Sequence, residues 1–377
     1  MTRKRIVRFI DLFCGAGGLA EGFRRASDSE IEFRPVYAVE IEPAFAASYA
    51  ANFGDHVVCK PIEKVKQAEL PPADLVIGGP PCQGFSNLGK VSPRQEHADL
   101  NKLWRYYFRV VEWVQPAAFL VENVPEFLSS PEFQEMLRKA HKLGYSTDHG
   151  VLNAADFGVP QMRRRGFLIG SRRGDIRLPR PAAGRAYATV MDAIHHLVSE
   201  PLVFEFNGRG PEEPHSQHRV QDLHLGRKPT PTSLERYHLI PPGGNRFNLM
   251  ALRPDITPPC WLRKTAGATD VFGRLEWGKP SVTIRAEFFK PEKGRYLHPE
   301  EHRPITHREA ALLQTFDDDY LFCGSKSDVA RQIGNAVPPE LGKAIAEEIK
   351  QRLYRKGRRS TSPTQLKMSL RFASATR

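Results

Sequence analysis

The sequence predicts an α/β protein with a doubly wound, Rossmann-like parallel sheet and a second, smaller, loop-rich domain. In the first half of the 377-residue chain, short apolar runs alternate with amphipathic stretches, which is typical of βαβ units. A glycine-rich turn follows the first of these runs. From residue 185 to 299, Pro, Gly and His become frequent and the periodicity weakens, which indicates a separate domain built largely of loops.

The apolar runs predict the sheet strands and the amphipathic stretches predict the helices. Strands are expected at residues 6–9, 36–39, 75–77, 118–121 and 167–169. Aromatic and aliphatic residues recur at helical spacing over 101–114, which predicts a helix packed on the sheet. Thr306 followed by Glu309 forms a capping box that starts a later helix, and a last helix is expected over 339–354.

Composition limits the classes of protein to consider. The formal net charge is +12, which favours a polyanionic partner such as nucleic acid. No run approaches the ~18 apolar residues of a membrane span, so we expect a soluble protein in the cytosol or nucleoid, without membrane association. The five cysteines form no Cys-x-x-Cys pair, which argues against a disulfide framework and against a structural zinc site. The residues after Lys356 are basic, and we expect a disordered, solvated tail over 356–377.

A glycine loop after the first strand indicates a nucleotide-type cofactor. Gly15 and Gly17 belong to a Gly-x-Gly-x-x-Ala pattern that opens a helix, where bare backbone and unpaired N–H groups can approach a ligand. Glu40 ends the second predicted strand, where a carboxylate could accept hydrogen bonds from ribose hydroxyls. Together they predict an adenosine-containing cofactor. The glycine loop alone would equally suit a nicotinamide dehydrogenase.

Cys82 is the strongest candidate for a nucleophile. It lies in the loop Gly-Gly-Pro-Pro-Cys-Gln directly after an apolar run that ends at Ile77, so the thiol should emerge at the carboxyl end of a strand. Two glycines allow a tight turn and two prolines stiffen the backbone. Cys59, Cys260 and Cys323, in contrast, suit the commoner role of small buried apolar residues.

An acid and two arginines are predicted near that thiol. Glu122 runs straight out of a buried strand, which is costly unless the carboxylate is paired or functional. Arg163 and Arg165 occupy alternate positions at the entry of the next strand, so their side chains should share one face. The plainer alternatives are a helix-capping acid before Pro125 and a solvated basic surface.

Taken together, these motifs resemble the DNA (cytosine-5) methyltransferase family. They are Phe-x-Gly-x-Gly at 13–17, Pro-Cys-Gln at 81–83, Glu-Asn-Val at 122–124, Gln-x-Arg-x-Arg at 161–165, the Arg-Glu helix with Leu-Gln at 308–314, and Gln-Ile-Gly-Asn-Ala-Val-Pro-Pro at 332–339. They occur in the order found in that family, and the similarity covers roughly residues 6–347. The prokaryotic modification-methylase type is the nearest in pattern, and such enzymes can be accompanied by a cognate restriction endonuclease.

The resemblance implies a domain organisation and a set of roles. A catalytic and cofactor-binding domain would span 1–184 and return over 300–355, with a target-recognition domain at 185–299. S-adenosyl-L-methionine would be the cofactor, and a monomer without bound metal would act on double-stranded DNA. The cofactor would contact the residues Phe13, Gly15, Gly17, Glu40, Ile62, Pro80, Asn335 and Val337.

The implied mechanism is attack of the Cys82 thiolate on carbon-6 of a flipped cytosine, followed by methylation at carbon-5. Glu122 would hydrogen-bond or protonate ring nitrogen 3, Arg165 would contact the base oxygen, and Arg163 would support the phosphate or thiolate side. Ser86 is a candidate phosphate contact.

Two positions depart from the family pattern. Pro61 stands where an acid is common, which removes an expected contact to the adenine amino group and leaves the packing of Ile62. Asn101 stands where an arginine is common, and Lys102 could take over that phosphate contact.

Two other functions keep part of this chemistry. An RNA cytosine-5 methyltransferase would use the same residues on another substrate. The long loop-rich insert instead favours an enzyme that recognises a base sequence in duplex DNA. A catalytically silent DNA-binding relative would have no need of Cys82, Glu122, Arg163 and Arg165 together.

Overall fold

A computed structural model describes residues 4–81, 103–204, 216–263 and 269–354. The predictions made for Cys82, Ser86, Lys102 and the tail over 356–377 lie outside these residues. Within the described ranges, the fold is organised around one seven-stranded sheet with helices on both faces. The predicted doubly wound α/β class is therefore confirmed.

The sheet has the strand order β3-β2-β1-β4-β5-β8-β6. Its strands are β1 (Arg5–Leu12), β2 (Ile31–Glu40), β3 (Val57–Cys59), β4 (Leu75–Gly78), β5 (Ala118–Asn123), β6 (Ser146–Asn153) and β8 (Arg164–Ser171), and the short β7 (Gln161–Met162) lies outside it. The five predicted strands are all present, and each is longer than expected. β3 and β6 carry a weaker apolar pattern and were not predicted.

The sheet is mixed, so the prediction of a wholly parallel sheet is wrong for one strand. β1 to β5 pair in parallel, whereas β8 runs antiparallel to both β5 and β6. The connection from β6 to β8 covers only residues 154–163, which is too short for the helical crossover that a parallel pair needs. β8 therefore returns in the opposite direction and brings the arginines at its start beside the end of β5.

Helices cover both faces of the sheet. The helices are α1 (Gly18–Arg25), α2 (Pro43–Phe53), α3 (Leu103–Val114), α4 (Pro131–Lys142), α5 (Val190–Ile194), α6 (Pro231–His238), α7 (Arg246–Leu252), α8 (Pro259–Arg263), α9 (His307–Leu313), α10 (Lys326–Asn335) and α11 (Pro339–Ile349). α1 and α11 share an apolar core with the Phe9 side of β1, and α3 and α4 share another with the Ile10 side. Alternate residues of a strand point to opposite faces, so one buried strand serves both cores.

Three predictions about helices and cysteines can be compared with the structure. The capping box is confirmed, because the Thr306 hydroxyl accepts from the Glu309 N–H and the Glu309 carboxylate accepts from the Thr306 N–H. α11 ends at Ile349 and continues as a π-helical turn over Lys350–Tyr354. Cys323 is buried as expected, but Cys59 and Cys260 are exposed, so a packing role is wrong for these two.

The segment from 185 to 299 combines a small core of its own with attachments to the rest of the chain. Tyr237, Ile240, Leu249, Phe272 and Leu297 form that core. Its strand β9 (Gln217–Arg219) pairs with β13 (Leu321–Cys323), β11 (Ser281–Val282) pairs with β7, and β10 (Gly273–Arg274) pairs with β12 (Arg295–Leu297). The boundaries at 185 and 299 stay a prediction.

Two features of the described residues are relevant to function. None of the helices in these ranges has both the length and the apolar character needed to span a membrane. The same ranges contain no group of three or more His, Cys, Asp or Glu side chains that could hold a metal ion.

Candidate active site and cofactor pocket

A cavity of about 510 Å³ opens at the carboxyl ends of β1, β2, β4 and β5. Among its lining residues are the predicted site residues Phe13, Gly15, Glu40, Pro80, Glu122, Arg165, Asn335 and Val337. Ile62 lines an adjoining cavity of about 520 Å³, which shares Phe13, Glu40 and Pro81 with the first. Gly17 and Arg163 line neither cavity. The carboxyl ends of parallel strands are where doubly wound folds bind ligands.

The glycine loop has a backbone conformation that residues other than glycine rarely adopt. Gly15 and Gly17 have φ values of 56° and 91°, and Phe13, which is not a glycine, has a φ of 57°. A Cβ on Gly17 would lie 2.4 Å from the Phe53 ring. Gly17 therefore closes the turn into α1 instead of lining the cavity, while Gly15 leaves the cavity side of the loop bare.

Glu40 ties the glycine loop to the end of β2. One of its carboxylate oxygens accepts from the N–H of Gly15 at 2.9 Å, and the other accepts from the N–H groups of Ile41 at 2.9 Å and Glu42 at 3.0 Å. Burial raises the pKa of Glu40, and these three hydrogen bonds oppose that rise. The oxygen bonded to Gly15 keeps a lone pair that could accept from a ligand hydroxyl.

Asp11 adds a second carboxyl group to the same part of the cavity, which sequence reasoning missed. Its side chain is 1% exposed, and one oxygen is buried without a hydrogen-bond partner among the described residues. Burial raises the pKa of Asp11 strongly, and neighbouring Glu40 raises it further. The two arginines that line the cavity are already paired, Arg331 with Glu42 at 2.9 Å and Arg165 with Glu122 at 3.0 Å. The cofactor side of the cavity is thus rich in carboxyl groups.

Glu122 and Arg165 form an ion pair at the inner end of the cavity. Arg165 Nε lies 3.0 Å from Glu122 Oε1, and only 15% of the Glu122 side chain is exposed. Burial raises the pKa of Glu122, while the charges of Arg165 and Arg163 oppose the rise. The helix-capping alternative for this acid is excluded, because the 3₁₀ turn that begins at Pro125 has no side-chain cap.

The loop that leads to Cys82 packs directly on this pair. A Cβ on Gly79 would lie 2.8 Å from Glu122 Oε2, so a larger residue here would force the Glu122 carboxyl group to shift. Asn123 Nδ2 donates to the Pro80 carbonyl at 3.0 Å, and Pro81 lines both cavities. Cys82 is the next residue after these, outside the described ranges.

Arg163 is fully buried, which excludes a solvated basic surface at this position. Its Nη1 donates to the Ile284 carbonyl and its Nη2 to the Gly334 carbonyl, both at 3.0 Å. Gly334 lies in the last turn of α10, where a positive charge is favourable. Arg163 thereby connects the entry of β8, the segment after β11 and the helix end that precedes Asn335.

Two glutamines extend this buried network. Gln161 accepts from the Ile284 N–H at 2.9 Å and donates to Gln314 Oε1 at 2.9 Å, while Gln314 donates to the Ile333 carbonyl. The carbonyls of Ile333 and Gly334 at the end of α10 are thus satisfied by side chains from two other parts of the chain. Both glutamines belong to motifs noted in the sequence, but their spacing gives no indication that they meet.

The hydrogen-bond donors of Arg274 are also used inside the protein. Its guanidinium donates to four backbone carbonyls, those of Tyr237, Ile240, His298 and Glu301. It is 2% exposed and lies in the small core of the 185–299 segment. This arginine stabilises the segment and is not presented to a ligand.

The seven-stranded sheet, with a cavity at its strand ends, is the Rossmann-like fold of methyltransferases. The match of a sequence-family model is more specific: the chain belongs to the C-5 cytosine-specific DNA methylase family, whose model matches residues 7–351. The predicted resemblance is therefore confirmed, and the protein is a DNA cytosine-5 methyltransferase.

Individual relatives agree with this assignment. The chain is 36% identical to the Type II methyltransferase M1.HphI of Haemophilus parahaemolyticus, over 90% of this chain and 86% of the relative. It is 35% identical to the Type II methyltransferase M.XorII of Xanthomonas oryzae pv. oryzae, over 92% and 85%. The crystal structure of a DNA modification methyltransferase encoded within an Escherichia coli prophage superposes with a TM-score of 0.68 at 26% identity, over 92% and 99%.

Proposed function

We propose that the protein transfers a methyl group from S-adenosyl-L-methionine to carbon-5 of a flipped cytosine in a specific duplex DNA sequence, through a covalent Cys82 adduct at carbon-6. The observation that carries this proposal is the placement of the Glu122–Arg165 pair in one cavity with the glycine loop and Glu40. An acid for the base and a site for the cofactor thus adjoin the residue that precedes Cys82.

The charges of the cavity support S-adenosylmethionine over a nicotinamide cofactor. S-adenosylmethionine carries a sulfonium and an ammonium group, whereas a dinucleotide carries a negatively charged pyrophosphate. Asp11 and Glu40 line the cavity, and its two arginines are engaged by Glu122 and Glu42. A pyrophosphate would therefore meet carboxyl groups without free arginines beside them, whereas a cationic ligand would favour the ionised form of those carboxyl groups and be attracted to it.

In the proposed reaction, the Cys82 thiolate forms a bond to carbon-6 and electron density moves toward carbon-5 and ring nitrogen 3. Burial raises the pKa of Glu122, so its carboxyl group takes up a proton more readily than a free glutamate and can donate it to nitrogen 3 as negative charge develops there. Arg165 holds that carboxyl group and can donate to the base oxygen. Carbon-5 would then form a bond to the electrophilic methyl group that the cofactor supplies, while the bond between that methyl group and the cofactor's sulfur breaks and S-adenosylhomocysteine leaves. Removal of the carbon-5 proton by a base then restores the double bond and expels the thiolate.

Arg163 has a different role in this proposal from the one that the resemblance implies. Both of its terminal nitrogens donate to backbone carbonyls, so it positions Asn335 and the segment after β11 and adds positive potential near Glu122. We therefore assign it as a positioning residue. Lys102 and Ser86 remain proposed phosphate contacts.

The partners are proposed on the same basis. Duplex DNA is the substrate, a monomer is the active unit, and the site needs no metal. The Type II relatives support a role in restriction-modification with a cognate endonuclease in the prokaryotic cytoplasm or nucleoid.

Duplex DNA that contains 5-fluorocytosine tests the covalent step. Fluorine replaces the carbon-5 hydrogen and cannot be removed by a base as that proton is, so the covalent adduct should persist. With S-adenosylmethionine, the wild-type protein should form a complex that survives denaturing electrophoresis. Cys82→Ser should abolish it, while Cys260→Ser, which changes an exposed cysteine, should not. An adduct in the Cys82→Ser variant would refute the nucleophile. Methyl transfer to tRNA but not to DNA would refute the substrate.

A further inference from the structure

The cavity beside Glu40, here called the slot, has a volume of about 520 Å³, enough to hold a flat base. Its walls are mostly apolar, from Phe13, Val39, Ile41, Pro61, Ile62 and Leu103, and it adjoins the carboxylate that could hold a ribose. Apolar clefts with a few polar groups are typical sites for small-molecule ligands. A ligand whose ribose meets Glu40 would place its adenine in this slot.

Two sets of residues that line the slot come from parts of the chain that are distant in sequence. One set is Ile62 and Glu63, which belong to a short 3₁₀ turn over Ile62–Lys64, together with Pro61, which precedes that turn. The other is Leu103, the first residue of α3. A three-residue turn has little internal hydrogen bonding to hold its shape. The width of the slot therefore depends on what holds the turn against α3.

Arg109 holds the turn against α3. From the second turn of that helix, its Nη2 donates to the carbonyls of Ile62 at 3.0 Å, Glu63 at 3.2 Å and Val65 at 3.4 Å. The guanidinium carbon lies 4.7 Å from the Tyr106 ring centre and 4.8 Å from the Trp113 ring centre. Two aromatic rings of the same helix thus orient the group that contacts three carbonyls of the turn.

We propose that Arg109 is a positioning residue for cofactor binding, which sets the adenine slot by joining the Ile62 turn to α3. The inference rests on the proposed function, because it takes an adenosine-containing cofactor as the ligand. Pro61 provides no side-chain acceptor for the adenine amino group. The shape of the slot, which Arg109 maintains, then determines affinity for the base. Arg109 does not touch the reacting atoms.

The test compares Arg109→Met and Arg109→Lys with a control variant on the same helix. Arg105→Met removes an equally large cation one turn earlier, where Arg105 is 60% exposed and pairs with Glu135 at 3.4 Å. Calorimetry measures the Kd of S-adenosylhomocysteine and of methylthioadenosine, which lacks the amino-acid part. Initial rates give kcat and the KM for S-adenosylmethionine and for DNA.

Arg109→Met should raise the Kd of both ligands by the same factor, about tenfold, which is the effect expected for the loss of a hydrogen bond from a charged group. The KM for S-adenosylmethionine should rise similarly, while kcat and the KM for DNA stay within twofold. Arg109→Lys should recover part of the affinity, because a lysine keeps the charge but not the planar fork. Arg105→Met should match the wild type.

Three results would overturn the inference: unchanged affinity in Arg109→Met, a loss confined to S-adenosylhomocysteine, or a fall in kcat without a change in KM. A wild-type protein that binds neither ligand would instead refute the proposed cofactor.

Discussion

Replacement of the buried Arg163 by methionine tests the network that joins three parts of the site. Methionine has a similar length but no charge and no donor, so the carbonyls of Ile284 and Gly334 lose their partners. A buried acceptor left without a hydrogen bond costs roughly 1–3 kcal/mol. Two such acceptors cost about 2–6 kcal/mol, and relief of the buried guanidinium's desolvation offsets part of this. We expect the free energy of unfolding to fall by about 2–4 kcal/mol.

Urea unfolding followed by far-ultraviolet circular dichroism measures this change. Arg164→Met is the matched control, because Arg164 is the exposed next residue, at the start of β8, and its replacement should change stability by less than about 0.5 kcal/mol. Arg163→Met should also raise the KM for S-adenosylmethionine, because the end of α10 before Asn335 loses a contact. An Arg163→Met protein as stable and as active as Arg164→Met would refute the positioning role.

Three further predictions concern the cavity. Burial raises the pKa of Glu122, so the protonated form that the mechanism uses persists to higher pH than in a free glutamate and is lost as the pH rises through that pKa. Glu122→Gln should lower kcat about 10²–10⁴-fold and abolish this fall of the rate with rising pH. Arg165→Met removes a charge that lowers the pKa of Glu122, so the fall of kcat/KM with rising pH should move to higher pH. A move to lower pH would contradict the ion pair. Gly79→Val should lower kcat with little change in the urea midpoint of unfolding, because the valine Cβ would press on Glu122. Gly278→Ala is the control and should leave kcat unchanged, because Gly278 has open space around it. Equal kcat values in the two variants would argue against the close approach of Gly79 to Glu122.

Much of the fold could be predicted because its signals are local. Runs of apolar residues mark β1, β4 and β5, and the glycine pattern marks the turn into α1. The direction of β8 could not be predicted in this way, because it depends on the length of a connection and on the strand order. The antiparallel return of β8 nonetheless places Arg165 beside Glu122.

The candidate site shows the same division. Glu40, Glu122 and Arg165 were expected from their positions at strand ends, and the cavity contains all three. Asp11 was missed because an aspartate beside a glycine loop appears in sequence to be part of a turn. Gly17 and Arg163 were expected to contact ligands, but Gly17 shapes the turn and Arg163 joins buried segments.

The sequence by itself determined the family, the order of the motifs and the residue types available for the chemistry. These follow from local patterns, since a strand end, a capping box or a glycine turn depends on residues that are close along the chain. Only the tertiary structure decided which arginine hydrogen-bond donors are available to a ligand and which are used inside the protein. The hydrogen bonds of Arg163 reach residues 121 and 171 positions away, and those of Arg109 reach residues 44 to 47 positions away. Side chains with identical chemistry become a pocket group or a buried support according to the carbonyls that folding places within 3.5 Å of them.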